Sequence, residues 1–261
     1  MAARRKASAK GRAKTARSRK TAPAAKTGGK RKAASRRKAA ARRSVRPDPG
    51  WVTALLATLE AHDPDPRCAL DHANPYELVA ATILSAQCTD KRVNMVTPAL
   101  FARYPTPADL AAAEQEDVEE LVRTTGFFRN KARNLIGMAR TLVDDFGGQV
   151  PATMEALLTL PGVARKTANV VLGVCFDRAE GVVVDTHVLR IGRRLGLTGH
   201  EDPVKVERDL MAVLPPETWI GFSHRIIRLG RGVCDARKPR CDECHVRDLC
   251  PRVGVADGAG A

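Results

Sequence analysis

Apolar residues recur every three to four positions through most of the chain after residue 50, and this period predicts α-helices. The first such segments are WVTALLATLEAH and NPYELVAATILSAQ, the second of which opens with Asn74 as an N-cap and Pro75 at the first helical position. EDVEELVRTTGF and RNKARNLIGMARTLVDDFGG each run into a glycine, which commonly ends a helix. VKVERDLMAVLP and ETWIGFSHRIIRLG follow nearer the C-terminus.

Alternation of apolar and polar residues, which marks a half-buried strand, is nearly absent from the chain. Only GVVV, from Gly181 to Val184, is predicted to be extended, and it is short. We therefore predict an all-α fold.

The first 46 residues break the helical pattern. They are mostly Ala, Lys, Arg, Ser, Thr, Gly and Pro, and they hold 19 of the 44 Lys and Arg residues but no Asp or Glu. Such a segment buries too little apolar surface to offset the entropy lost on ordering, so we predict a disordered polybasic tail over residues 1–48. The tail either tethers the protein to DNA by counterion release or is a solubilising extension.

The formal net charge of +15 suggests a nucleic-acid partner, but the charge is unevenly distributed. After residue 46 the chain holds 25 Lys and Arg against 29 Asp and Glu, so any DNA affinity there must come from local patches. No apolar run approaches the ~18 residues of a membrane span, and no signal peptide is recognisable. We expect a soluble, intracellular protein with no membrane partner.

One patch coincides with a predicted helical hairpin, in which MEALLTL and RKTANVVLGV are joined by PGVA. Pro161 and Gly162 make the turn, and the unpaired N–H groups at the second helix form an anion site suited to a DNA phosphate. Lys166 lies in the first turn of that helix, where a cation is disfavoured. Partial desolvation and the adjacent Arg165 would favour the neutral, nucleophilic amine. Without further signals, an ordinary hairpin with a solvated lysine remains the alternative.

Asp185 follows the apolar run GVVV and precedes the next predicted helix, which begins at Thr186 and His187. A carboxylate beside a reacting sugar stabilises developing positive charge and assists proton transfer. The same position is also that of a simple helix N-cap, and the spacing alone leaves both interpretations open.

Four of the seven cysteines lie in CDARKPRCDECHVRDLC, with the spacing C-x6-C-x2-C-x5-C: Cys234, Cys241, Cys244 and Cys250. An all-thiolate zinc site usually pairs two C-x2-C knuckles, whereas this segment has one C-x2-C with longer arms. That arrangement suits the larger 4Fe-4S core, with zinc as the alternative. The remaining cysteines are interpreted as core or incidental thiols.

Three cations lie between the first two cysteines of this segment: Arg237, Lys238 and Arg240. A loop held by a metal centre would present them as a phosphate clamp. A solvated charged loop is the alternative.

At these residues the chain resembles the endonuclease III family, the DNA glycosylase/AP lyases of the helix-hairpin-helix-GPD superfamily. LPGVARKTANVVL is similar to the family hairpin, and VVVDTH is similar to the segment with the catalytic aspartate. ILSAQCTDKRVN and TTGFFRNKARNL resemble two further family segments. The resemblance covers about residues 51 to 252, the whole globular part.

The resemblance implies roles for individual residues. Lys166 would be the Schiff-base nucleophile and Asp185 the catalytic carboxylate. Gln87 would fill the gap left by a flipped nucleotide, and the loop Gly126–Phe128, with Gly126 and Phe127 as its contact residues, would probe the opposite strand.

The resemblance also implies that the hairpin binds the DNA backbone and that the four cysteines hold a 4Fe-4S cluster. Ala164 departs from the pattern, because the family commonly has a second glycine there. The hairpin residues concerned are Pro161, Gly162, Val163, Ala164 and Arg165.

The implied architecture has two helical subdomains that flank a DNA-binding cleft. Residues 49–70 and 181–252 would form an iron–sulfur domain from both ends of the core. Residues 71–180 would form a helical-barrel domain with the hairpin, and residues 253–261 a flexible C-terminus.

The implied function is that of a bifunctional DNA glycosylase/AP lyase of base excision repair. It would excise oxidised pyrimidines and cut 3′ to the abasic site by β-elimination. Its partner would be double-stranded DNA with damaged pyrimidines or abasic sites, bound by a monomer in a bacterial, nucleoid-associated setting. A monofunctional mismatch glycosylase, against which Lys166 argues, and a non-catalytic iron–sulfur DNA-binding protein are the alternatives.

Overall fold

A computed structural model of the protein describes residues 47–255, and every regular element among them is a helix. The all-α prediction is therefore confirmed for this range. The predicted polybasic tail, apart from residues 47 and 48, lies outside the described residues, as do residues 256–261 at the predicted flexible C-terminus. None of the helices in the described range is long and apolar enough to cross a membrane.

Eleven α-helices and four short 3-10 helices follow one another along the described residues. The α-helices are α1 Pro49–His62, α2 Pro75–Ser85, α3 Asp90–Arg103, α4 Pro107–Ala111, α5 Gln115–Val122, α6 Phe128–Phe146, α7 Met154–Leu157, α8 Arg165–Phe176, α9 Thr186–Arg194, α10 Pro203–Met211 and α11 Trp219–Gly232. The 3-10 helices are Arg123–Thr125, Pro216–Thr218, Cys241–Glu243 and Arg247–Leu249.

Local sequence signals define many of the helix ends. Asn74 caps α2 as predicted, since its side chain accepts a 3.0 Å hydrogen bond from the backbone N–H of Glu77. Two helices, α3 and α4, were not predicted, although Thr89 and Thr106 cap them in the same way. Pro98 inside α3 obscures the helical pattern, because proline is rare in a helix interior.

The described helices bury two separate hydrophobic clusters. The first is built around α2, whose residues from Leu78 to Leu84 are all buried, and includes the inner faces of α3, α5, α6 and α8. The second is built around Phe222 of α11 and includes the inner faces of α1, α9 and α10. The first cluster therefore carries the helical hairpin, and the second carries the helix that follows Asp185.

The segment from Gly181 to Val184 links the two clusters but forms no strand in the described structure. Val182 and Val184 are buried in the second cluster, and the backbone N–H of Val183 donates to Ser223 Oγ at 3.1 Å. A side-chain hydroxyl of α11 thus takes the place of a neighbouring strand, and it fixes the backbone that leads into Asp185.

Candidate active site and cysteine loop

The predicted helical hairpin is present, with a shorter first helix than the sequence suggested. The first helix, α7, ends at Leu157, and the turn that follows reaches the start of α8 at Arg165. Gly162 has φ +81°, and a Cβ at this position would lie 2.9 Å from Cβ of Asn134 in α6. Glycine is therefore required here both by backbone conformation and by the close approach of α6.

The second helix of the hairpin begins with unsatisfied N–H groups. Its N-cap residue, Ala164, has no side-chain oxygen, and no hydrogen bond to the N–H groups of Arg165, Lys166 and Thr167 occurs among the described residues. These donors, together with the helix dipole, favour an anion. Ala164 has φ −100°, a conformation open to any L-residue, so its Cβ strains nothing.

Lys166 and Asp185 line the same cleft, which has a volume of about 880 Å³ and also includes Gln87. Lys166 is exposed, so its predicted partial desolvation is wrong for the protein without DNA. The physical reason is that the side chain leaves the first turn of α8 towards an open cleft rather than a packed surface. Among the described residues, no ion pair within 4.0 Å joins Lys166 to Asp185.

Asp185 is half-buried and acts as the N-cap of α9. Its Oδ1 accepts hydrogen bonds from the backbone N–H groups of His187 and Val188, both at 2.8 Å. Its second oxygen, Oδ2, makes no hydrogen bond within the described chain. The capping interpretation is thus correct, and it does not exclude the catalytic one, because the cap orients the carboxylate and leaves one oxygen available in the cleft.

Several polar cleft residues were missed by the sequence analysis. They come mainly from one face of α11 and from the start of α9: Thr186, His187, Ser223, His224, Arg228 and Arg231. Burial lowers the pKa of His187 and of His224, with nearby arginines acting in the same direction. In the sequence, only one feature could have indicated these cleft residues. It is the spacing of Ser223, Arg228 and Arg231 along a helix whose apolar residues face the core.

Gln87 and Phe127 have unusual backbones. Both are exposed, and both have positive φ, +52° at Gln87 and +48° at Phe127. Such a conformation costs roughly 1–3 kcal/mol in a non-glycine residue and is common at functional sites. Gly126, before Phe127, has φ +73°. Gln87 lines the cleft, whereas Phe127 does not.

A buried lysine that contacts the backbone just before Gly126 was also missed. Lys131 is 4% exposed, and its Nζ donates a 2.7 Å hydrogen bond to the carbonyl oxygen of Thr125. The nearby thiol of Cys88 belongs to the residue after Gln87. Nothing in the local sequence distinguishes Lys131 from a solvated lysine, since its burial depends on the loops that cover it.

The four C-terminal cysteines line one pocket together with apolar residues of α9 and α11. Arg194 reaches into this loop from α9, and its NH1 group donates to Cys234 Sγ at 3.1 Å. Burial raises the pKa of the Cys244 and Cys250 thiols, and the other thiols of the loop add to the shift. Within residues 47–255, no group of three His, Cys, Asp or Glu side chains is arranged to hold a single metal ion.

The cations of the cysteine loop differ in their surroundings. Arg240 is tied within the loop, where Nε donates to Glu243 at 2.8 Å and NH2 donates to the carbonyl oxygen of Gly232 at 2.6 Å. Arg237 and Lys238 are exposed, and no ion pair in the described part of the chain includes them. The latter two are therefore the cations that remain available to a phosphate.

Residues 80–216 match the HhH-GPD superfamily base excision DNA repair proteins. Endonuclease III of Synechocystis is 56% identical over 199 residues, which cover 76% of this chain and 91% of that protein. Endonuclease III of Bacillus subtilis is 45% identical over 188 residues, with 72% and 85% covered. A solved structure of a trapped endonuclease III–DNA covalent intermediate gives a TM-score of 0.74 at 42% identity, covering 79% of this chain and 97% of that chain.

The all-helical fold and the hairpin beside a lysine–aspartate cleft define the class as helix-hairpin-helix DNA repair proteins. The match over residues 80–216 and the identities of its relatives then fix the family. The chain belongs to the HhH-GPD superfamily of base excision DNA repair proteins. The resemblance inferred from the sequence is thereby confirmed.

Proposed function

We propose that this protein excises oxidised pyrimidines from duplex DNA and cuts the strand 3′ to the abasic site through a Schiff base on Lys166. The broader activity, that of a DNA glycosylase/AP lyase of base excision repair, follows from its family and its endonuclease III relatives. The observation that carries the proposal is the common cleft of Lys166 and Asp185 beside the phosphate-binding end of α8.

The lysine amine acts as the nucleophile. Its nitrogen forms a bond to C1′ of the damaged nucleotide while the glycosidic bond breaks, and the base departs with the bonding electron pair and gains a proton. The sugar ring opens to an imine on Lys166. Loss of a proton from C2′ then breaks the C3′–O bond, so the 3′ phosphate leaves and water later releases the lysine.

Asp185 stabilises the positive charge that develops on the sugar, and it relays protons in the later steps. Its Oδ1 is held by two backbone N–H groups, which fix the orientation of the carboxylate before substrate binds. The free lysine is exposed in the protein alone. Bound DNA would cover the cleft and exclude water from the reacting amine.

The cleft requires a flipped nucleotide, because C1′ is not accessible inside a stacked duplex. Gln87 would fill the gap, and Phe127 with Gly126 would contact the opposite strand. Their exposure and strained backbones support these roles, since both positions offer side chains already directed away from the core. The backbone of hairpin residues 161–165 and the side chains of Arg237 and Lys238 would bind phosphates on either side, whereas Arg240 is tied within its own loop.

The four cysteines fit a 4Fe-4S cluster better than a single zinc ion. A zinc ion at ~2.3 Å from each sulfur would require the sulfurs to lie roughly 4 Å apart. The loop brings its thiols to one apolar pocket without forming such a compact group. Arg194 would donate to the Cys234 ligand, and the cluster would hold the loop that carries Arg237 and Lys238.

The two hydrophobic clusters support the predicted division into an iron–sulfur domain and a barrel domain, with the DNA-binding cleft between them. We infer that the protein acts as a monomer, because a single chain supplies every residue assigned to the reaction. Its bacterial relatives support a bacterial setting. We propose that within it the protein works in the cytoplasm on nucleoid DNA.

The test is borohydride trapping on a duplex with one abasic site. Wild type should give a covalent protein–DNA band, and Lys166→Gln should give none while still binding the duplex. Lys91 also lines the cleft and supplies a matched control, because Lys91→Gln removes an equivalent amine. A band in Lys166→Gln, or its loss in Lys91→Gln alone, would contradict the assignment. Binding without a band in wild type would favour a monofunctional glycosylase or a non-catalytic protein.

A further inference from the structure

Glu207 connects the two halves of the candidate active site. It lies on α10, whose apolar residues belong to the second cluster, and is only 8% exposed. Its two carboxylate oxygens both accept from Nε of Arg165, at 3.1 Å each. Its Oε1 also accepts from Nδ2 of Asn169 at 3.0 Å. Arg165 and Asn169 flank Lys166 on α8, so a single carboxylate holds the helix turn that carries the lysine.

The same carboxylate contacts the segment that leads to Asp185. A Cβ on Gly181 would lie 2.2 Å from Oε1 of Glu207 and 2.8 Å from Nδ2 of Asn169. The glycine therefore lets the backbone pack directly against the Glu207–Asn169 pair. Asp185 follows four residues later, so the supports of both proposed catalytic residues meet at Glu207.

The burial of Glu207 and Asn169 costs free energy and depends on specific partners. A buried carboxylate is stable only with charged and hydrogen-bonding partners, and Glu207 has both. Oδ1 of Asn169 is buried with no hydrogen-bond partner in the described structure, which adds to the cost. The bond between Glu207 and Arg165 also neutralises a cation at the phosphate-binding end of the hairpin. Ordinary helix packing would need neither the unpartnered oxygen of Asn169 nor the neutralisation of Arg165.

We propose that Glu207 is a positioning residue that sets the separation of Lys166 and Asp185, at the expense of a DNA contact by Arg165. The inference rests on the proposed function, because it concerns the geometry of its lysine and aspartate. Two opposite effects follow from one side chain. Loss of the carboxylate charge releases α8 and slows Schiff-base formation, and it frees the Arg165 guanidinium to bind DNA phosphate.

The experiment compares wild type with Glu207→Gln, which keeps an oxygen acceptor for Asn169 and removes the charge. The single-turnover rate of borohydride trapping on an abasic duplex should fall by on the order of 10-fold to 100-fold, as expected for misplaced reacting groups. Binding to a duplex with a non-cleavable abasic analogue should tighten. The slope of log K against log salt should become more negative by about 0.9, the value of one added phosphate contact.

Glu201→Gln supplies a matched control. It removes the same charge from an exposed glutamate that pairs with Arg193 at 2.9 Å, and neither residue lines the cleft. The trapping rate should remain that of wild type. In Arg165→Met/Glu207→Gln the gain in affinity should disappear, because the freed cation is absent. Gly181→Ala is a second route to the same result, since its Cβ displaces the carboxylate without a charge change and should also slow trapping.

The outcomes separate the inference from the proposed function. Trapping by wild type, together with slow trapping and tighter binding by Glu207→Gln, supports the positioning role. Wild-type trapping rates in both Glu207→Gln and Gly181→Ala overturn it, while leaving Lys166 as the nucleophile. Weaker binding together with a lower melting temperature in Glu207→Gln assigns Glu207 to structure alone and also overturns it. Absence of trapping in wild type overturns the proposed function itself.

Discussion

Lys131 Nζ donates a 2.7 Å hydrogen bond to the carbonyl oxygen of Thr125, and its side chain is only 4% exposed. Burial lowers the pKa of this lysine, since desolvation penalises its charged form. Thr125 directly precedes Gly126 and Phe127, the exposed loop proposed to probe DNA. The backbone that leads into that loop is therefore held from inside the protein by a buried amine.

Lys131→Met should impair the enzyme on duplex DNA more than on single strands. The substitution keeps an apolar, flexible side chain of similar length and removes the bond to Thr125, so the loop loses its defined position. We expect trapping on an abasic duplex to slow by about 10-fold, an effect of imprecise positioning. Trapping on a single-stranded abasic oligonucleotide should stay close to wild type, because no base has to be flipped.

Arg140→Met is the control for Lys131→Met, since Arg140 lies on the same helix and donates to the carbonyl oxygen of Ala111 at 3.0 Å. It should leave the ratio of duplex to single-strand rates unchanged. Equal losses on both substrates in Lys131→Met would show a general defect in folding and not a role in loop position.

Gly162→Ala should destabilise the hairpin. The new Cβ would meet Asn134 at 2.9 Å on a backbone with φ +81°, so both sterics and conformation oppose it. We expect the free energy of unfolding to fall by about 1–3 kcal/mol and binding to an abasic analogue to weaken. Urea denaturation measures this loss, with Ala164→Gly as the control. Because Ala164 has φ −100°, the substitution to glycine should lower the free energy of unfolding by at most about 1 kcal/mol.

Loss of a loop cysteine should remove iron. Cys241→Ser takes one of four thiols from the pocket, and we expect the purified variant to lose visible absorbance, iron and acid-labile sulfide. Cys175→Ser is the control, since this thiol packs against the first hydrophobic cluster and burial raises its pKa to about 11. A colourless wild type with about one zinc ion per chain would contradict the cluster.

Stability should fall at mildly acidic pH. Burial lowers the pKa of His224 and of His187 below the ordinary value of 6.5, so the unfolded chain takes up protons first. The contribution of these two histidines to the free energy of unfolding is complete above pH 6.5 and is lost as the pH falls towards their pKa in the folded state. Each histidine can lower that free energy by up to about 1.4 kcal/mol for each pH unit.

Urea midpoints at about pH 7.5 and about pH 5.5 measure this loss of stability, because only histidines among unperturbed side chains titrate between them. His224→Gln cannot be protonated and should show a smaller difference between the two midpoints than wild type. An identical difference in both proteins would refute the contribution of His224.

The helices could be predicted from the sequence where the hydrophobic period agrees with the residues that begin or end a helix. Asn74 before Pro75, Gly126 after the 3-10 helix Arg123–Thr125 and Gly147 after α6 are local features, and they determine helix ends through hydrogen bonds within a few residues. The hydrophobic period did not predict α3, because Pro98 and exposed polar residues interrupt it there. The exposure of Lys166 was mispredicted, because solvent access depends on the width of the cleft and not on neighbours in the chain.

The sequence by itself determined the helices, the hairpin and the cysteine spacing, since each is encoded within about 20 residues. The roles predicted for Lys166 and Asp185 came from the family resemblance and not from the local pattern. Tertiary structure alone decided that Lys166 and Asp185 share one cleft, that Glu207 links their supports and that Lys131 is buried against the carbonyl oxygen of Thr125. These relationships join residues that belong to different helices. Their distances follow from how helices pack around two cores, which no local pattern of the chain specifies.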